Sequence, residues 1–219
     1  MIEHALLVAH ITVLGYWLGS ELVINSTYRY VCHTPTLPFD ERNKLMNHTL
    51  HVDQHVRYAL ILQVGLGTAL AALYGYIPGG NAMAWSAGVF AAAWLALVEI
   101  THRARDSQVG KRLAAFDRGF RYVVMVAFTG IGVAALMSAA PLPGWLGWKL
   151  ICFAGVILCG VGIRYSIIDF YKTWAKIREH GSSDELEAEI RHIYFYGTAI
   201  LVGLWVFIAA IVVLSVWKP

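Results

Sequence analysis

An apolar run of 18 or more residues, once helical, is long enough to cross the roughly 30 Å hydrocarbon core of a bilayer. This chain of 219 residues carries six such runs, at Ala5–Ile24, Val56–Tyr76, Met83–Ile100, Tyr122–Ala139, Leu150–Ile168 and Ile193–Val216. Charged residues make up only 14% of the chain, against about 25% in soluble domains. That shortfall excludes a disordered chain and argues against a soluble enzyme. The expected fold class is all-α: a polytopic six-helix membrane bundle forming a single transmembrane domain. A net charge of +3 without a basic stripe on any helix gives no reason to expect nucleic-acid binding. Cys32, Cys152 and Cys159 form no Cys-x-x-Cys pair, so neither a zinc knot nor a disulfide framework is indicated. Cys152 and Cys159, seven apart in one apolar run, read as small buried apolar groups.

Punctuation and charge set the topology. Pro78-Gly79-Gly80 and Pro141-Leu142-Pro143-Gly144 predict tight hairpins between spans two and three and between spans four and five. The basic residues gather in the other loops: Arg29, Arg42 and Lys44, then Arg103, Arg105, Lys111, Arg112 and Arg118, then Lys172, Lys176, Arg178 and Arg191. Basic loops face the cytoplasm, so both termini are expected outside, in a bacterial inner membrane. The N-terminus has no basic region ahead of its apolar run, so the first span is expected to stay in the mature protein. A cytoplasmic helical extension is expected over residues 171–192, stopping at Gly181 and restarting at Glu185 behind a Ser182/Glu185 capping box. It reads as a solvated extension or as a docking surface for a soluble redox partner. Arg57-Tyr58 and Arg121-Tyr122 each open a Gly-rich span that ends in a Pro/Gly turn, which predicts a duplicated helical hairpin.

Ionisable residues within spans are costly and point to function. On the first span His10, Leu14, Trp17, Glu21 and Tyr28 fall within about 40° of one line, with Gly15 and Gly19 on the opposite side. That glycine pair suits either close packing within the chain or a homo-oligomer seam. His48, His51 and His55 share one stripe where the second span begins, and imidazole suits zinc, copper, iron and nickel. Glu99 and His102 form a Glu-x-x-His pair, the spacing by which one helix presents two ligands in di-iron carboxylate proteins. The orientation puts Glu21, His51, His55, Glu99 and His102 at one inner depth, with Arg164 near it. The expected metal set is therefore His51, His55, Glu99 and His102, with Glu21 and His48 close by. Arg57 and Arg164, beside Tyr58 and Tyr165, could neutralise haem propionates or an anionic substrate. His10 is expected about 20 Å of helix away from the level of His55, where it would need Lys149, a methionine such as Met83 or Met137, or an open position opposite it.

The run from Ala9 to His33 resembles the start of HemJ-type membrane proteins through His10, Trp17, Gly19, Arg29 and His33. Pro143–Leu150, with Lys149, resembles that family's Trp-x-x-x-Lys-Leu run, and Val216, Lys218 and Pro219 resemble its terminus. The first helix is also similar to that of the CopD copper-resistance domain. The hairpin of spans two and three exceeds the family's pattern. The resemblance implies b-type haem, with His10 and Lys149 as a family-type site, and oxidation of protoporphyrinogen IX for HemJ or copper handling for CopD. Together these readings predict a membrane-embedded redox protein that binds haem b or a copper or iron centre. The alternatives are a copper transport or tolerance protein and a non-catalytic membrane anchor for a soluble partner.

Overall fold

A computed structural model describes residues 1–105 and 107–218 of the chain. Pro219, which closes the terminal motif, lies outside the described residues. Those residues form six α-helices and no strand. The helices are α1 (Ile2–His33), α2 (Phe39–Leu73), α3 (Gly80–Arg103), α4 (Gln108–Leu136), α5 (Gly144–His180) and α6 (Asp184–Trp217). All six are long and apolar enough to cross a membrane. The protein is an all-α, multi-pass membrane protein. In hydrocarbon a backbone N–H can bond only within its own chain, and the helix meets that need for every residue at once.

The helices overrun the predicted spans at the basic ends, and local chemistry explains where each stops. α1 continues to His33 and breaks before Pro35; Pro38 then precedes α2 and its carbonyl accepts from the amides of Glu41 and Arg42, each at 3.1 Å. Asp40 and Glu41 in the first turn of α2 favour the positive end of its dipole. α5 ends at Gly181, which takes φ 85° and donates its amide to the Ile177 carbonyl. The cap of α6 differs from expectation. Ser183, not Ser182, accepts from the Leu186 amide, and the helix starts at Asp184. Ser182 instead donates its hydroxyl proton to Glu187 Oε1 at 2.6 Å.

The duplicated hairpin extends beyond the Arg-Tyr echo. Asp53 accepts from Arg57 Nε at 3.0 Å, and Asp117 accepts from Arg121 Nε at 3.0 Å. Both copies therefore begin with the same Asp-x-x-x-Arg pair, which neutralises each charge one turn away. Both first helices end alike. Tyr76 donates to the Ala71 carbonyl around Gly75, and Ala139 donates to the Ala134 carbonyl around Ser138. Gly75 and Ser138 occupy the left-handed region at φ 75° and 57°, as a Schellman cap requires. In each hairpin a glycine lets the helices close. A Cβ on Gly65 would stand 2.5 Å from Ala91 Cβ, and one on Gly132 would stand 2.7 Å from the Gly147 carbonyl oxygen.

Two compact units divide the chain, the first comprising Met1–Ile24 and Leu50–Tyr122 and the second Asn25–Thr49 and Val123–Pro219. In the second, α5 and α6 pack along one another. Their polar ends, expected as a solvated extension, bury their inner faces against residues 25–49. Val31, Cys32, Met46, Phe170, Trp174, Ile177, Ile190 and Tyr194 form one apolar cluster there. Arg42 crosses it at 1% exposure, donating to Glu187 through both terminal nitrogens at 2.7 and 2.8 Å and through Nε to the Val31 carbonyl at 3.1 Å. Its guanidinium also lies 4.9 Å from the centre of the Trp174 ring. Burial pushes the Cys32 thiol up to about 12, so it is an inert packing group at neutral pH.

Burial acts to raise the titration point of Glu187, but the hydrogen bonds from Arg42 and Ser182 and the charges of Arg42 and Arg191 outweigh it. The carboxyl is left below its ordinary value of 4.5. A depressed folded value means that the contribution is present above the unfolded value and lost as pH falls through the folded one. Thermal unfolding in detergent should show the wild-type midpoint dropping below about pH 4.5, and less steeply in Glu187→Gln. Arg42→Ala or Glu187→Ala, which strands a buried charge, should cost about 3–5 kcal/mol at neutral pH.

Candidate functional site

The first unit gathers polar groups from α1, α2 and α3. On the predicted inner line of α1, Trp17 and Glu21 are buried, at 2% and 7% exposure, while His10, Leu14 and Tyr28 are partly buried. The indole Nε1 of Trp17 donates to Glu21 Oε1 at 3.2 Å. Gly15 and Gly19 lie on the outer side, where an added Cβ would meet nothing within 4 Å. Among the described residues, no helix packs against either glycine closely enough to need a missing Cβ.

His10 nests against α2. The amide of Gln63 donates to its backbone carbonyl at 2.8 Å, and its imidazole Cε1 lies 3.3 Å from where a Cβ on Gly67 would stand. One and a half turns along α1, the Tyr16 hydroxyl shares a hydrogen bond with His55 Nδ1, their rings edge-on at 5.8 Å. His55 is thus level with residue 16, six positions from His10, or about 9 Å along the helix. The expected separation of about 20 Å is too large. Reading the second span as starting at Val56 placed His55 at the membrane boundary, whereas its partner on α1 lies near the middle of the first apolar run.

Across α2 and α3 the residues meet in antiparallel register. His51 faces His102 with ring centroids 6.0 Å apart and planes at 79°. Two turns along α2, the Tyr58 hydroxyl donates to Glu99, and between these levels the Gln54 amide reaches the Val98 carbonyl at 3.5 Å. Glu99 also accepts from Arg103 Nε at 2.5 Å. The rings of His55 and Tyr58 stand edge-on at 6.2 Å, which continues the row begun by Tyr16.

Among the described residues, no three His, Cys, Asp or Glu side chains stand together closely enough to hold a metal ion. The expected set is drawn apart by competing partners. His55 is turned to Tyr16, Glu99 to Tyr58 and Arg103, and Glu21 to Trp17, leaving His51 and His102 as the pair brought together, edge-on. Arg57 gives Nε and Nη2 to Asp53 at 3.0 and 2.9 Å, so it is already matched by an anion. The remaining candidates belong to the second unit. There His48 and Arg164 are exposed, and Lys149 stands close enough to Lys218 for their charges to repel.

Compared with protein-family models, with curated proteins and with solved structures, the chain matches none. Its chemistry is therefore read from the geometry alone. Two participants have no counterpart in the sequence reading. Tyr16 lies about 120° from the line of His10 and carries no charge to mark it. Gln63 was legible in principle, since an amide within an apolar run needs a partner.

The register can be tested in a chain whose native cysteines are replaced by serine. Cysteines placed at positions 16 and 55 should be bridged by a short bifunctional thiol reagent, which makes up for the length of the tyrosine side chain that spans the contact. Cysteines at 10 and 55 should not, and the reverse pattern on a gel would contradict the level assigned to His55.

Proposed function

We propose that this chain is a membrane-embedded redox protein of the HemJ/CopD-like kind, resident in a bacterial inner membrane, which holds a transition-metal ion or haem iron between His51 and His102. One observation carries the reading. An ion bonded to a nitrogen of each imidazole at about 2 Å holds the two ring centroids on the order of 6 Å apart, and the observed separation is 6.0 Å. Both rings come from helix faces that the α2–α3 register fixes, so the pair is positioned before any ion arrives. The bound ion would supply one-electron exchange. The chain's own groups hold charge and protons nearby: Tyr58 keeps the Glu99 carboxylate oriented, Arg103 balances it, and Asp53 and Arg57 cancel one another.

Copper handling is the second reading, and the small ligand set favours it. Cuprous copper accepts two imidazoles, whereas zinc sites in proteins are almost always tetrahedral. His10, about 9 Å of helix from the level of His55, would then be an outer station on the same α1–α2 seam.

The absorption spectrum and elemental content of the purified protein separate these readings. A Soret band that shifts on reduction indicates haem iron, and stoichiometric copper without that band indicates the copper reading. His51→Ala and His102→Ala should each lower bound metal about tenfold or more, as loss of one of two ligands requires, while the protein still inserts and unfolds at the wild-type temperature. If both variants keep full metal, the assignment to this pair is wrong.

A further inference from the structure

The row of Tyr16, His55 and Tyr58 is open to the outside of the chain. Tyr16 is 44% exposed and His55 is exposed, yet they lie level with the middle of the apolar run of α1. Polar groups at that depth need partners, because hydrocarbon offers none. The protein supplies only some of them. His55 Nδ1 is bonded to Tyr16, and among the described residues no protein group bonds its Nε2. What covers Nε2 must therefore arrive through the bilayer.

The Tyr16–His55 pair has a property that a lone imidazole lacks. When the phenol donates to Nδ1, the neutral ring carries its proton on Nε2 and presents a donor; when Nδ1 carries the proton and donates to the phenol oxygen, Nε2 is a bare acceptor. The outward nitrogen can thus serve a carbonyl or a hydroxyl without any change of net charge. Farther along the row, Tyr58 presents an aromatic edge whose hydroxyl is anchored on Glu99. A flat ring can lie against this row with one oxygen at Nε2.

We propose that the row is a binding site for the head group of a lipid-soluble quinone, which presents carbonyl acceptors when oxidised and hydroxyl donors when reduced. The proposal rests on the redox reading given above, but on different residues. His51 and His102 serve the metal, and Tyr16 and His55 serve the quinone. The site is reached laterally from the bilayer, where such carriers dissolve.

Decylubiquinone titrated into the purified full-length protein, followed by quenching of tryptophan fluorescence and by calorimetry, provides the test. Wild-type protein should bind it saturably. Tyr16→Phe, which removes one hydroxyl and keeps the ring, and His55→Leu should each weaken binding about tenfold or more, as loss of a desolvated hydrogen bond predicts, with metal content and unfolding temperature unchanged. His51→Ala should lose metal and retain quinone affinity. Absence of saturable binding in wild type, or equal affinity in Tyr16→Phe and His55→Leu, overturns the quinone site even where metal is bound normally. Quinone binding that depends on His55 in a protein without metal supports the site while the metal assignment alone fails. A dimer cross-linked through cysteines at position 55, with no quinone affinity, would show that a second copy covers the row and would also overturn the proposal.

Discussion

Hydrocarbon as a solvent leaves a charge no partner but one within the protein, and nearly every polar feature of this chain follows from that constraint. Asp53 and Arg57, and Asp117 and Arg121, cancel each other one turn apart on their own helices. Local pairing of this kind does not depend on how the helices are arranged, which suits a motif used twice. In the second copy Trp94 adds an indole donor to Asp117 at 2.9 Å, and the Arg121 guanidinium lies 5.9 Å from that ring's centre. The aromatic face offsets part of the cost of keeping the guanidinium out of water. Arg42 and Glu187, outside the apolar spans but shut off from water by the protein itself, meet a like need at long range, joining the start of α2 to that of α6 through a bidentate pair with further bonds to Val31 and Ser182. A buried pair of this kind is weak evidence for added stability, but removal of one partner is costly. It thereby fixes the register in which the polar helix ends come together.

The fold was legible in the sequence because its determinants are local. Apolar run length, Pro/Gly turns and the sorting of lysine and arginine among loops each act over a few residues, and they led to six helices with short connections at 74–79 and 137–143. The overrun at the basic ends was less legible. Residues 39–55 and 108–121 mix charged and apolar side chains without a long apolar run. Their helicity is supported by packing of residues 39–49 in the second unit and of residues 50–55 and 108–121 in the first, and by i, i+4 pairs. Ser182 against Ser183 shows the finest limit. Adjacent serines are equivalent as caps by type, and the choice between them was settled by Glu187, which takes the hydroxyl of the first.

The candidate site was legible in its parts and not in its pairings. His51, His55, Glu99 and His102 were marked out by cost, since ionisable groups in or beside apolar spans demand an explanation. Which of them meet depends on the offset between α1 and α2, and no local signal encodes that offset. Tyr16 meeting His55 sets one level, and Gln63 meeting the His10 carbonyl sets another. Helix periodicity can place residues on a common stripe, but two stripes on different helices may be slid along one another without changing either pattern. The correction to the depth of His55 is a correction of that offset.

Glu99 shows why a motif of correct spacing need not yield a chelate. The Glu-x-x-His spacing puts both side chains on one face of α3, but that face also meets Tyr58, and Arg103 lies one turn beyond. A carboxylate at this depth takes the donors it is offered, and two are present before any ion is bound. They are not equal. The Arg103 side chain is 78% exposed, where screening leaves an ion pair little strength and the long side chain can reach water without help. Tyr58 is half-buried and approaches Glu99 from the neighbouring helix, so it is the partner that holds the carboxylate to one side of the two imidazoles. The resting arrangement is accordingly a two-nitrogen pair with an oriented carboxylate one turn away along α3. Were an ion to bind there as proposed, low coordination together with an anion held by a neutral hydroxyl would suit one that changes charge, because the acid could remain in place while the metal alternated between oxidation states.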